Sequence, residues 1–148
     1  LLSFAKRFGL KYTRYADDIT FSGESIPVRF IDYIARIVSA EGFIINETKT
    51  RLYRARGKRI VTGISVADPI VKLPREYKRT LRQELHFIFK FGIVSHMKKM
   101  KIRKVNYIDS IIGKVNFWLS VEPDDKIAQK AKSKLLEMRA FYPLLLEK

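Results

Sequence analysis

The chain has 148 residues, 47% of them hydrophobic, enough for one domain or two small ones with a proper core. Its formal net charge of +15 points to a polyanionic partner, while no apolar run reaches bilayer length and no stretch reads as a signal peptide. Zero cysteines exclude disulfides and thiolate metal sites, which fits a cytosolic protein.

Residues 1–8 read as the end of a helix closed by Gly9, and with no initiator Met the chain is expected to be a fragment. Tyr12, Thr13 and Tyr15, then Ile19, Thr20 and Phe21, are strand formers on either side of Ala16-Asp17-Asp18. Alternation puts Ile19 and Phe21 on one face and Thr20 and Ser22 on the other, so a β-hairpin with two adjacent carboxylates at its tip is predicted. Asp-Asp alone is commonly just a solvated turn. Two carboxylates held side by side also repel unless a cation joins them, and Mg²⁺ takes one or two carboxylates plus substrate phosphates.

Gly23-Glu24 turns the chain, and Ser25-Ile26-Pro27 reads as a helix start. Phe30, Ile34, Ile37 and Val38 recur at helical spacing, and Gly42 ends the helix. Phe43-Ile44-Ile45 is expected to be a short buried strand. Asn46-Glu47-Thr48-Lys49 is a polar connection, followed by β-runs over 50–54 and 59–66 joined at Arg56-Gly57-Lys58. After Asp68-Pro69 a brief strand over 70–73 precedes Pro74, and the pattern turns helical. Helices are predicted over 75–91, stopped by Gly92, over about 105–121, and from Asp124-Asp125 to about Tyr142 before Pro143.

Charge is concentrated. Between Lys49 and Lys104 seventeen Lys or Arg face only Asp68, Glu76 and Glu84, so this segment supplies fourteen of the fifteen net charges. Arg75, Lys78, Arg79 and Arg82 stand at i, i+3, i+4 and i+7, one basic helix face, with Leu81, Leu85, Ile88 and Phe89 on another. Lys98, Lys99, Lys101, Arg103 and Lys104 make a second basic patch. Because strand and helix patterns are mixed here, a nucleic acid fits better than a membrane surface. Trp118 reads as core, and His86 and His96, without acidic or Cys partners at ligand spacing, as structural or exposed.

Tyr-Thr-Arg-Tyr-Ala-Asp-Asp-Ile-Thr-Phe-Ser resembles the metal-binding hairpin of retron-type bacterial reverse transcriptases. Val61-Thr62-Gly63 is similar to the Val-Thr-Gly signature of the retron branch, and Gly113-Lys114-Val115-Asn116-Phe117-Trp118 to the thumb of retron and group II intron enzymes. The resemblance implies an α+β fold: the second half of a polymerase palm over residues 1–67, then a helical thumb over 68–148. It implies an RNA-directed DNA polymerase of the retron or related antiviral-defence branch, copying a structured noncoding RNA with Mg²⁺ and dNTPs. Asp17 and Asp18 would be metal ligands, completed by an upstream Asp that this sequence lacks, so the chain alone is expected to be inactive. Glu24 and Asp32 are not promoted to that role.

Tyr15 would sit against the primer terminus and Lys49 near the incoming nucleotide's phosphates. Residues 59–66 would form the hairpin whose strand pair grips the primer end, Gly63 by letting another backbone come close and Thr62 by its hydroxyl. The basic helix would lie across the template–primer duplex. A group II intron enzyme is the alternative within the class. A non-catalytic RNA-binding relative is the alternative outside it.

Overall fold

A computed structural model describes residues 1–54 and 57–146, with side chains in the last helix described to residue 141. It is mixed, with helices and two small antiparallel sheets, and it divides into two compact units, Leu1–Thr62 and Gly63–Lys148.

In the first unit α1 (Leu2–Arg7) leads into β1 (Lys11–Tyr15), which pairs antiparallel with β2 (Asp18–Ser22). The register sets Tyr12 opposite Phe21, Thr13 opposite Thr20 and Tyr15 opposite Asp18. Cross-strand partners share a face, so the ribbon has an aromatic side and a hydroxylic side. The aromatic side is packed: the Tyr12 and Phe21 rings lie 5.3 Å apart, and Phe21 meets Phe30 edge-on at 5.0 Å. Phe30 and Ile34 of α2 (Phe30–Ala40) complete this core with Ala5 and Leu10.

The structure corrects three expectations in this unit. The helix begins at Phe30, three residues beyond Pro27, because the backbone N–H of Phe30 and of Ile31 first close tight turns onto the carbonyls of Pro27 and Val28. Phe43-Ile44-Ile45 is not a buried strand. Ile44 is 96% exposed and Phe43 68%, and only Ile45 packs on the core. An apolar run needs a neighbouring strand to supply its hydrogen bonds, and the described residues offer none. For the same reason residues 50–54 are irregular. The turn expected at Arg56-Gly57-Lys58 includes Arg56, which lies outside the described residues.

The run 59–66 is a hairpin, as the resemblance implies, and not one continuous strand. It folds on itself as β3 (Ile60–Val61) and β4 (Ile64–Ser65), with Thr62-Gly63 as the two-residue loop. Both loop residues have positive φ, 46° and 82°, the backbone signature of a type I′ turn. A Cβ placed on Gly63 would meet nothing within 4 Å among the described residues, and its positive φ is what the turn requires. Beyond it, residues 70–73 contribute a bridge from Ser65 to Lys72.

The second unit is helical: α3 (Arg75–Phe91), α4 (Ile93–Lys99), α5 (Tyr107–Val121) and α6 (Lys126–Leu146). Leu81, Leu85 and Ile88 of α3 are buried with Ile93 of α4, Ile111, Val115 and Trp118 of α5, and Leu135 of α6. Asp125 caps α6, its Oδ1 accepting from the N–H of Ile127 at 3.0 Å and of Ala128 at 3.1 Å. The helix does not stop at Tyr142 but continues through Pro143 to Leu146. A proline lacks one N–H, which near a helix end costs a single rung.

Beneath α3, α4 and α5 lies a connected polar group. Tyr107 donates to Glu84 Oε1 at 2.8 Å, Lys114 Nζ reaches Glu84 Oε2 at 2.8 Å, and His96 Nε2 stands 3.0 Å from the Tyr107 hydroxyl. Tyr77 donates to the Lys114 carbonyl at 3.1 Å, and burial, helped by the Glu84 charge, raises its pKa above the ordinary 10.0. A Tyr held protonated in the fold stabilises it fully below the unfolded-state value, and the stability is lost as pH rises through the raised one. The stability difference between wild type and Tyr77→Phe is therefore expected to stay level up to about pH 9 and to fall above pH 10, in denaturant unfolding across that range. A level difference throughout would show that the phenol is not held protonated.

Candidate nucleotidyl-transfer hairpin and nucleic-acid interface

The β1–β2 connection contains only Ala16 and Asp17. Ala16 has φ 52°, so the two-residue loop is entered through a left-handed residue that is not glycine. For an L-residue that conformation costs roughly 1–2 kcal/mol, and strain of this kind concentrates where function requires a particular backbone path. Its effect here is geometric: it brings Asp17 to the tip and returns the chain so that Asp18 starts β2 directly opposite Tyr15. Tyr15 is 75% exposed and both carboxylates are exposed.

Among the described residues no group of three His, Cys, Asp or Glu could hold a metal ion. Two adjacent exposed carboxylates nevertheless suit Mg²⁺ as a partial oxygen-donor set, with phosphates and further ligands completing it. The residues fit the ion as a half-site. Lys49 stands on a turn built by Asn46, whose side-chain oxygen accepts from the Thr48 hydroxyl at 2.7 Å and the Lys49 N–H at 3.3 Å. The Asn46 carbonyl accepts from the Thr50 hydroxyl at 3.0 Å, and the Lys49 side chain is left exposed. The turn fixes the backbone and leaves the ammonium free to reach for a ligand. Thr62 and Gly63 are also exposed, in their turn.

In the second unit Arg75, Arg79 and Arg82 are exposed on α3. Lys98, Lys99, Lys101, Arg103 and Lys104 are exposed at and after the end of α4, where the helix dipole favours cations.

No protein-family model matches the chain. Curated relatives do. It is 44% identical over 88 residues to the retron Mx65 reverse transcriptase of Myxococcus xanthus, an overlap of 58% of this chain and 20% of that protein. With the retron Ec86 reverse transcriptase of Escherichia coli it shares 34% identity over 121 residues, 80% of this chain and 34% of the relative. The retron Mx162 reverse transcriptase of Myxococcus xanthus is 36% identical over 103 residues, 58% of this chain and 21% of its own length. The chain is a retron-type reverse transcriptase region. It spans about a fifth to a third of the relatives' length.

One cation of this retron-type region is not where sequence spacing puts it. Lys78 does not share the open face with its neighbours. Its Nζ lies 2.9 and 2.8 Å from the two carboxylate oxygens of Glu122, and the side chains are 16% and 17% exposed. Glu122 Oε1 also accepts the backbone N–H of Leu73 at 2.9 Å, so one carboxylate ties the entry of α3 to the end of α5. Glu122 is 44 residues from Lys78, out of range of any helical periodicity, and its only sequence signal is an acid after an apolar helix. Arg82 does stay exposed, its guanidinium 5.1 Å over the ring of the fully buried Trp118.

Glu122→Ala would strand both the Leu73 N–H and a half-buried ammonium. It is expected to lower stability by about 2–3 kcal/mol in denaturant unfolding. A loss below about 0.5 kcal/mol, the range of ordinary surface changes, would refute the latch.

Proposed function

We propose that this chain supplies the catalytic hairpin and the thumb of an RNA-directed DNA polymerase that copies a structured noncoding RNA into DNA with Mg²⁺ and dNTPs. The division proposed is palm over residues 1–67 and thumb over 68–148, in a bacterial cytoplasmic enzyme of the retron branch. The observation that carries the reading is the strained two-residue loop presenting Asp17 and Asp18 together at an exposed tip, in a region similar to enzymes named as retron reverse transcriptases.

Asp17 and Asp18 would hold the metal with a further carboxylate from outside this chain, and Mg²⁺ there supplies charge stabilisation to the attacking and leaving oxygens. Tyr15, on the face of β1 that it shares with Asp18, offers an exposed ring against which the last primer nucleotide can rest. In the reaction the primer 3′-hydroxyl attacks the α-phosphorus and pyrophosphate leaves. Lys49 would offset the charge gathering on that leaving group or donate a proton to it. The Thr62 hydroxyl, on a turn of defined shape, is a donor for phosphate or ribose near the primer end. Arg75, Arg79 and Arg82 would neutralise duplex phosphates, with the patch after α4 as a second contact.

The test is Mg²⁺-dependent primer extension by the full-length protein on an RNA template. A folded protein that extends no primer on any RNA template sinks the reading. A non-catalytic RNA-binding role draws on one observation, the missing third metal ligand among the described residues. It would show as RNA binding without extension.

A further inference from the structure

Away from its core side, α3 carries two adjoining surfaces. Arg75, Arg79, Arg82, His86 and Lys90 are all exposed. They stand at i, i+4, i+7, i+11 and i+15, within about 80° of helical arc and along about 22 Å of axis. Next to the far end of this stripe, Phe87 and Phe91 are 36% and 54% exposed, one turn apart. Their rings stack on each other, with centroids at 6.2 Å and planes at 19°. Polar groups border both: the His86 ring is 5.6 Å from Phe87, and Lys90 Nζ lies 5.2 Å over Phe91. The helix already buries Leu81, Leu85 and Ile88 elsewhere, so this pair is not needed for its own unit's core.

We infer that Phe87 and Phe91 form a stacking platform for unpaired nucleobases of a strand whose phosphates follow the basic stripe. The inference rests on the proposal that α3 contacts nucleic acid, and adds a ligand class that the duplex contact does not include. Two observations favour bases over a protein segment as the occupant. Every base has a flat π-face that continues an aromatic stack, and its phosphate brings negative charge beside the Lys90 ammonium. A protein segment seated on the pair would instead press the Lys90 ammonium against an apolar surface, which is costly for a charge.

The experiment uses the full-length protein and two labelled probes, a blunt RNA–DNA duplex and the same duplex with a short unpaired extension. Joint Phe87→Ala and Phe91→Ala substitution is expected to weaken binding of the extended probe about tenfold. Affinity for the blunt probe, and the salt dependence of both, should be unchanged. Joint substitution by Leu, which keeps apolar volume but has no π-face, should behave like Ala, whereas Tyr at both positions should restore binding. Wild-type affinity in the Leu variant, an equal loss on both probes, or no loss at all would overturn the platform. So would a lower unfolding midpoint with unchanged affinity, because it would show that protein covers the pair. If the wild type bound neither probe, the nucleic-acid role of α3 would fall together with this inference, while binding of the blunt probe without discrimination removes the platform alone.

Discussion

Asp17→Asn in the full-length protein is expected to lower Mg²⁺-dependent primer extension by about a hundredfold or more, the scale on which positioned charge acts in a transition state. The fold should not notice. Asp17 sits exposed in a two-residue loop, and among the described residues its side chain makes no hydrogen bond or ion pair. Asn has the same shape and is equally at home in turns. On the proposed role, removing the charge should take away affinity for a divalent ion and nothing structural. Primer extension measured beside a thermal melt separates the two effects. A marked fall in the unfolding midpoint, or full activity in the variant, would show that Asp17 has another purpose.

Joint replacement of Arg75, Arg79 and Arg82 by Gln should flatten the dependence of log affinity on log salt by about two to three, since each phosphate neutralised releases about 0.9 of a counterion from a duplex. Binding at low salt should fall by at least about a hundredfold. Lys78→Gln is the internal control. Its ammonium is already held by both oxygens of Glu122, so that variant should lose stability and keep the wild-type slope. Affinity titrations over a range of salt concentrations read both. An unchanged slope in the triple variant would take α3 off the nucleic acid, and a flattened slope in Lys78→Gln would mean that phosphate displaces Glu122 from the lysine.

The two variants mark where local sequence stops being informative. Arg79 and Arg82 share a face with Arg75 because helical geometry requires it, and 75–91 with its glycine stop was legible for the same reason. Lys78 obeys that periodicity too, but its partner arrives from the end of another helix. Phe43 and Ile44 failed differently: β-propensity describes a residue that fits a half-buried pleated surface, and no neighbouring strand among the described residues provides one. Residues 59–66 show a divided case: β-propensity alone runs on through Thr62-Gly63, whereas the resemblance gives a hairpin there, and β3 and β4 form one.

What the sequence determined by itself is therefore what depends on neighbours along the chain. That covers the existence of the Asp17–Asp18 hairpin, the helix over 75–91, the Asp125 cap and the excess of positive charge. Tertiary structure alone decided which cations remain open to a ligand and which apolar runs become strands. It also decided that a stacked aromatic pair would lie bare beside the basic stripe. Those outcomes turn on partners brought from distant positions, and no periodicity encodes where they will be.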